Sequence, residues 1–326
     1  FKIGDRVFII SSTFGGTGVA GLPLILKSIR DSSLSISNSD LLRNSIVGAA
    51  IVLPYFGVSP SENVTVLDKA SFISKTKAVL SYYDQNALVN ISANAIYYIG
   101  DDLTCDYNSD PGQNGQRNNA HFIELVAALS VVNFMNLGDE RLANQNGKPI
   151  NSNIFEYGIK SDHHILNFTH LGKETQRLIA KALTQYILSV KFLNTELRKN
   201  IEKNQIFTSR QEPKLTMPFL QSAFFGHLME FNKFFVDWLE EMRGNRRGFE
   251  PFRLESSLKD LIVGVSLKVG LFSKPSLDFY NLVESLNSAE KYINFISAEQ
   301  KLIRLLYEAT KNILSKKFDY FNELDR

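Results

Sequence analysis

An apolar run that breaks into glycines and then resumes at helical spacing constrains this chain more than any other feature. Residues 7–30 read VFIISSTFGGTGVAGLPLILKSIR. No polar residue alternates within VFII, so it reads as a buried central strand of a parallel sheet. Beyond the glycines, Leu22, Ile25, Leu26 and Ile29 recur at the spacing of one helix face. Between the two stand Gly15, Gly16, Thr17, Gly18 and Gly21. Without a Cβ, glycine reaches positive φ and lets an anion come close to the backbone. The N-terminus of the following helix adds unpaired N–H groups and a partial positive charge. Strand, glycine turn and helix in that order predict a phosphate site, where the Thr17 hydroxyl either donates to phosphate or caps the helix.

The alternation of strand-like and helix-like runs continues to about residue 140. SIVGAAIVLPYF is a second buried strand stopped by Pro54, KASFISKTKAVLSYYDQNAL is a helix, and ANAIYYIGDD is a third strand ending on Asp101 and Asp102. After the polar run DYNSDPGQNGQRNN comes AHFIELVAALSVVNFM, a helix with Phe122, Leu125, Val126 and Leu129 on one face and Asn119 placed to cap it. That helix is apolar nearly all round, which predicts burial between two layers. Past residue 146 the texture is helical, with four long amphipathic stretches, and only DLIVGVSLKVGLF and HHILNFTH read as strands. The expected architecture is an α/β parallel-sheet domain over residues 1–145 followed by a largely α-helical C-terminal region over 146–326.

Charge and cysteine content narrow the function classes. The 36 basic and 34 acidic residues leave a net charge of +2, which gives no electrostatic case for nucleic acid or an anionic membrane. The basic cluster RGNRRG, residues 243–248, reads as a solvated loop. Cys105 is the single cysteine, which excludes a disulfide within the chain and fits a reducing, cytoplasmic compartment. No apolar stretch approaches the roughly 18 residues a membrane span requires, and no signal peptide opens the sequence. His163 and His164, near Asp162 and His170, would face opposite ways on a strand, so no metal site is expected there. Asp101 and Asp102 read as turn carboxylates or as outer ligands of a nucleotide-bound Mg²⁺. His121 reads as a packed core histidine. The aromatic run FFGHLMEFNKFFVDWL has the spacing of a buried helix face, and it qualifies as a partner surface only if exposed.

Four segments then match a known pattern. FGGTGVAGLP resembles the phosphate loop of the tubulin/FtsZ superfamily, whose core is GGTG with a proline in the following helix of FtsZ-type members. Gly15, Gly16, Thr17, Gly18 and Pro23 occupy those places. AAIVLPYF and AIYYIGDDL look like two later strands of that fold. RNNAHFIELVAAL is similar to the start of its central helix, where an asparagine approaches guanine, and Asn119 takes that place.

The resemblance covers about residues 5–140 and implies a prokaryotic, FtsZ-like protein that binds GTP or GDP with Mg²⁺. It further implies GTP hydrolysis, assembly into homo-oligomers or filaments, and a protein partner for the helical region. Glu62 becomes the ribose-contacting acid. Asp139, within NLGDER, becomes the hydrolytic carboxylate delivered to a neighbouring subunit. The family's further nucleotide contacts lie upstream of the glycine loop, so this reading expects strands ahead of Phe1. Two alternatives stay open. Gly16, Gly18 and Gly21 also spell the GxGxxG of an NAD(P)-binding Rossmann protein, although AAIVLPYF ends on no carboxylate for the ribose. The other is a non-catalytic interaction protein built on a degenerate nucleotide fold.

Overall fold

The computed structural model describes residues 2–31, 39–59, 69–85, 88–101, 106–108, 119–151, 153–158, 163–207, 212–269 and 275–325. The chain forms two compact units, Phe1–Ile159 with Asn245–Arg247, and Lys160–Gly244 with Gly248–Arg326.

The first unit runs β1 (Arg6–Ser12), α1 (Gly16–Arg30), α2 (Ser39–Arg43), β2 (Ile46–Val52), β3 (Gly57–Ser59), α3 (Lys69–Gln85), α4 (Leu88–Ser92), β4 (Ala95–Gly100), β5 (Asp106–Asn108), α5 (Phe122–Asn136), β6 (Asn144–Gln145), β7 (Lys148–Pro149) and β8 (Asn153–Gly158). Four strands make one parallel sheet in the order β1-β2-β4-β8. The unit passes the expected limit at residue 145 because β8 pairs with β4 along its whole length.

Alternation along β2 assigns the two layers. Val47, Ala49 and Ile51 meet Leu22, Leu26 and Ile29 of α1, together with Tyr83 and Val89. Each such aliphatic side chain contributes roughly 1.5–3 kcal/mol on burial. Gly48 points to the other face, where a Cβ would stand 2.6 Å from the Phe8 ring and 2.9 Å from the Phe134 ring of α5. Glycine at this position lets α5 lie close to the sheet. Tyr97 continues that layer, stacked on Phe155 at 4.8 Å and donating to Asn133 Oδ1 at 2.8 Å. Helices α1 and α5 therefore cover opposite faces.

Three expectations change here. VFII lies in β1, which is an edge of the described sheet and pairs only with β2, and Ile10 is 54% exposed. An apolar run records a strand's hydrophobicity but not how many neighbours it has. The glycines fall inside the first turn of α1 rather than before it, and Ile25 faces outward. α5 buries one side only, leaving Val132 and Met135 exposed and Leu125 half-buried.

The second unit contains β9 (Ile165–Leu166), α6 (Lys173–Thr195), α7 (Leu197–Glu202), α8 (Ala223–Gly244), β10 (Gly248–Phe249), α9 (Phe279–Glu290), α10 (Ala298–Lys317) and α11 (Asp319–Glu323). Leu302, Leu305 and Leu306 of α10 are buried, as are Leu282 and Leu286 of α9 and Ile187 and Leu188 of α6. Lys301 and Glu290 form a fully buried ion pair at 2.5 Å. The expected strand in DLIVGVSLKVGLF is instead a short 3-10 turn, Leu258–Asp260, and a single bridge from Phe252 to Ile262. HHILNFTH keeps only Ile165–Leu166 as strand before a 3-10 turn. His163 and His170 stack at 4.1 Å, and the described residues contain no group that would hold a metal ion. The aromatic run forms α8, but only Asn232, Leu239 and Met242 of that helix are buried. Among the described residues, no helix is long and apolar enough to cross a membrane.

Candidate functional site

The glycine turn sits at the C-terminal end of β1, where open α/β sheets hold their ligands. Gly15 caps α1 in an extended conformation, with φ −113° and ψ 135°. The first helical hydrogen bond runs from Val19 N to Gly15 O at 3.1 Å, so the amides of Gly16, Thr17 and Gly18 precede the ladder. None of these glycines uses positive φ, which among the described glycines occurs at Gly4, Gly147 and Gly264. The lack of a Cβ serves two other purposes. At Gly18 a Cβ would lie 2.8 Å from both Ser11 Oγ and Ser12 O, so glycine lets the helix rest on the strand. At Gly16 a Cβ would meet nothing within 4 Å, and the residue is exposed. Thr17 is also exposed, and the first turn of α1 carries no acid. Ser11 Oγ donates to Gly18 O at 2.8 Å and ties strand to helix.

A second helix N-terminus belongs to the same end of the sheet. His121, not Asn119, caps α5: its Nδ1 accepts from Ile123 N at 3.1 Å. Asn119 lies outside the helix and is exposed. The polar residue nearest the apolar run took the cap because Phe122 already belongs to the buried face. His121 is 1% exposed and its ring lies 4.6 Å from that of Tyr55. Burial, and then the charge of Arg247, push its pKa down to about 4. With Nδ1 accepting, the neutral ring carries its proton on Nε2, and that buried N–H has no hydrogen-bond partner.

Asp101, at the end of β4, is 4% exposed and pairs with Arg247 Nε at 2.7 Å. It is neither a solvated turn carboxylate nor an open ligand for Mg²⁺. By the same contact RGNRRG is not wholly a solvated loop, since Arg247 is buried and Arg243 pairs with Glu240. The extra information is spatial: Asp101 and Arg247 are far apart in the chain.

Between the ends of β1 and β2 and the first turns of α5 lies a cleft of about 440 Å³, lined by Ser11, Ser12, Phe14, Tyr55, Ile123 and Glu124 among others. Phe14 is the residue before the glycine turn, and its ring packs edge-on against Phe56 and Phe72. Glu124 is the acid in this lining. It went unnoticed in the sequence, although an acid in the first turn of an otherwise apolar helix was the available signal.

The remaining candidates fall elsewhere. Asp139 follows the far end of α5, a helix of 15 residues spanning roughly 22 Å. It is 84% exposed and pairs with Arg6 at 2.7 Å. Glu62 and Asp102 lie outside the described residues. Gly15, Gly16, Thr17 and Gly18 thus share one end of the sheet with His121 and Glu124, while Asp139 stands at the opposite end. No protein-family model, no curated protein and no solved structure matches this chain.

Proposed function

We propose that the first unit binds a guanine nucleotide, GTP or GDP, in the manner of the tubulin/FtsZ superfamily. One observation carries the reading: the row of amides from Gly16 to Gly18 opens a helix at the end of a parallel strand, uncovered by any Cβ, beside a cleft of about 440 Å³. Phosphates at that row meet N–H donors and the positive end of α1, and no carboxylate of the first turn opposes them. A Mg²⁺ ion accompanies the nucleotide and is held chiefly by its phosphates.

Glu124 supports guanine in particular. A carboxylate accepts from the N1–H and the exocyclic amine of guanine, whereas adenine offers no donor at N1. In this reading Glu124 takes the base-reading role first expected of Asn119. The NAD(P) alternative draws less support, because β2 ends on Leu53 and Pro54 without an acid, and β1 stands at an edge of the described sheet rather than at a switch point.

Hydrolysis, in the same reading, is shared between copies. Asp139 is too far from its own chain's glycine turn to orient a water there, so it acts on the nucleotide of a neighbour in a homo-oligomer or filament. Thermal shift of the full chain with GTP, GDP, ATP, NAD and NADP tests the binding. At about one hundred times Kd, a guanine nucleotide raises Tm by on the order of 5 °C. Glu124→Ala lowers the preference for GTP over ATP about tenfold or more. A shift with NAD alone, or none with any of the five, removes the proposal.

A further inference from the structure

We propose that the groove between α8 and α10 of the second unit is the docking site for an acidic amphipathic helix of a partner protein. The α8 sequence has enough aromatic residues for a core helix, yet Phe231 and Phe234 are 59% and 58% exposed. Only three of its 22 residues are buried. Beside it lies a cleft of about 270 Å³, floored by Tyr186, Ser189 and Leu193 of α6 and walled by Leu228 of α8 and by Ile303 and Tyr307 of α10. Ile303 and Tyr307 are 45% and 52% exposed.

The groove is built rather than loose. Tyr186 donates to the buried Asn232 at 2.7 Å, and its ring meets those of Phe231 and Phe235 edge-on. Gln185 Nε2 donates to Tyr307 O at 3.1 Å and fixes α10 against the floor.

The walls specify the occupant. Both are helices whose backbone groups are used internally, so neither offers an edge to an added strand. Apolar side chains on a floor between two helices suit a third helix with large apolar residues at i, i+3 or i+4, and i+7. Charge then selects among such helices. On α8, Lys233 pairs with Asp237 at 3.1 Å and His227 lies 3.8 Å from Glu230, while on α6 Lys181 pairs with Asp325.

On α10, Arg304, Tyr307 and Lys311 share a face at i, i+3 and i+7, and both cations are exposed. Neither has a carboxylate within ion-pairing distance among the described residues, and Lys311 Nζ lies 5.8 Å from the Tyr307 ring centre. Glu308, half-buried one position past Tyr307, is the single opposing carboxylate of that rim. Two cations against one carboxylate call for acidic residues on the flank of the docked helix that meets α10.

Two fluorescent 20-residue helical peptides test this with the full chain by anisotropy. They share a leucine and phenylalanine face and differ only in carrying glutamate or lysine on the flanks. The glutamate peptide binds about tenfold tighter than the lysine peptide, and Arg304→Glu with Lys311→Glu reverses the order. Ile303→Glu abolishes binding of both at unchanged Tm, because Ile303 is an exposed wall residue. Failure of the glutamate peptide to bind, equal binding of the two, or full binding by the Ile303→Glu variant overturns the proposal. A concentration-dependent dimer that Ile303→Glu dissolves also overturns it, since the occupant is then a second copy of this chain.

Discussion

The two ends of the sheet in the first unit treat their polar groups in opposite ways. At the N-terminal ends of the strands the polar groups are densely paired. Asn94, fully buried, accepts from Val47 N and Arg30 and donates to Leu142 O and Asn144 Oδ1. Arg30 also donates to the carbonyls of Arg43, Ser45 and Ser92. Arg6 donates to Phe134 O at 2.7 Å and Leu137 O at 2.9 Å, closing the last turn of α5. At the C-terminal ends, by contrast, the amides of Gly16 to Gly18 stand ahead of their helix ladder and the Nε2–H of His121 is buried without a partner. Buried donors are nearly always satisfied in native proteins, so a cluster of open ones marks where a ligand or water completes the structure. One end holds the fold together; the other is left able to bind.

The largest test of that contrast is at Asn94. Asn94→Ala strands a buried amide and a buried carbonyl and costs about 4 kcal/mol in chemical denaturation. A loss under 1 kcal/mol would mean that the paired end is not the stabilising one.

The next effect is a pH dependence at the open end. His121 has a folded pKa near 4 against an ordinary value of 6.5, so its neutral form is the one that folds. Its contribution is fully present above pH 6.5 and disappears progressively as pH falls towards 4, by about 3 kcal/mol in all. His121→Phe flattens the stability profile over that window. An unchanged slope in the variant would show that His121 stays neutral for no energetic reason.

Smaller and more discriminating is the pair of glycines. Gly18→Ala drives a methyl into Ser11 and Ser12 and destabilises by roughly 1–3 kcal/mol. Gly16→Ala, facing open space, changes stability by no more than about 0.5 kcal/mol yet weakens the thermal shift with GTP by covering the amide row. If both variants lost stability equally, Gly16 would be a packing residue and the site reading would lose its main support.

The smallest effect on the fold is at Asp139. This acid is mostly exposed and its ion pair with Arg6 is worth under about 1 kcal/mol, so Asp139→Ala leaves Tm nearly unchanged. Turnover of GTP at high protein concentration separates the roles. Wild-type hydrolysis by Asp139→Ala leaves this residue only its contact with Arg6.

Much of the first unit was legible in one dimension. The strand around VFII, the helix after the glycines, the buried strand IVGAAIV and the strand AIYYIG all form where apolar periodicity puts them. Periodicity reports which side of an element is apolar, and that survives folding. It does not report partners, which is why VFII was expected in the middle of the sheet and stands at an edge, and why DLIVGVSLKVGLF was expected as a strand and is mostly irregular. The cap of α5 was misplaced by two residues for a related reason. Asn119 and His121 are both plausible caps locally, and the packing of Phe122 and Tyr55 selects the histidine. Glu124 was visible as an acid at a helix start, but nothing in the chain order says that this start lines the same cleft as Ser12.

By itself the sequence determined the order of strands and helices, the glycine turn at the end of the first strand, and the change from α/β to helical texture. These follow from side-chain size, branching and period, which act over a few neighbouring residues. Tertiary structure alone decided that α1 and α5 cover opposite faces, that Arg247 buries its charge against Asp101, and that the aromatic helix α8 keeps Phe231 and Phe234 in the open. Burial and pairing between distant segments depend on which surfaces meet, and a residue's hydrophobicity says only that it has a reason to be covered.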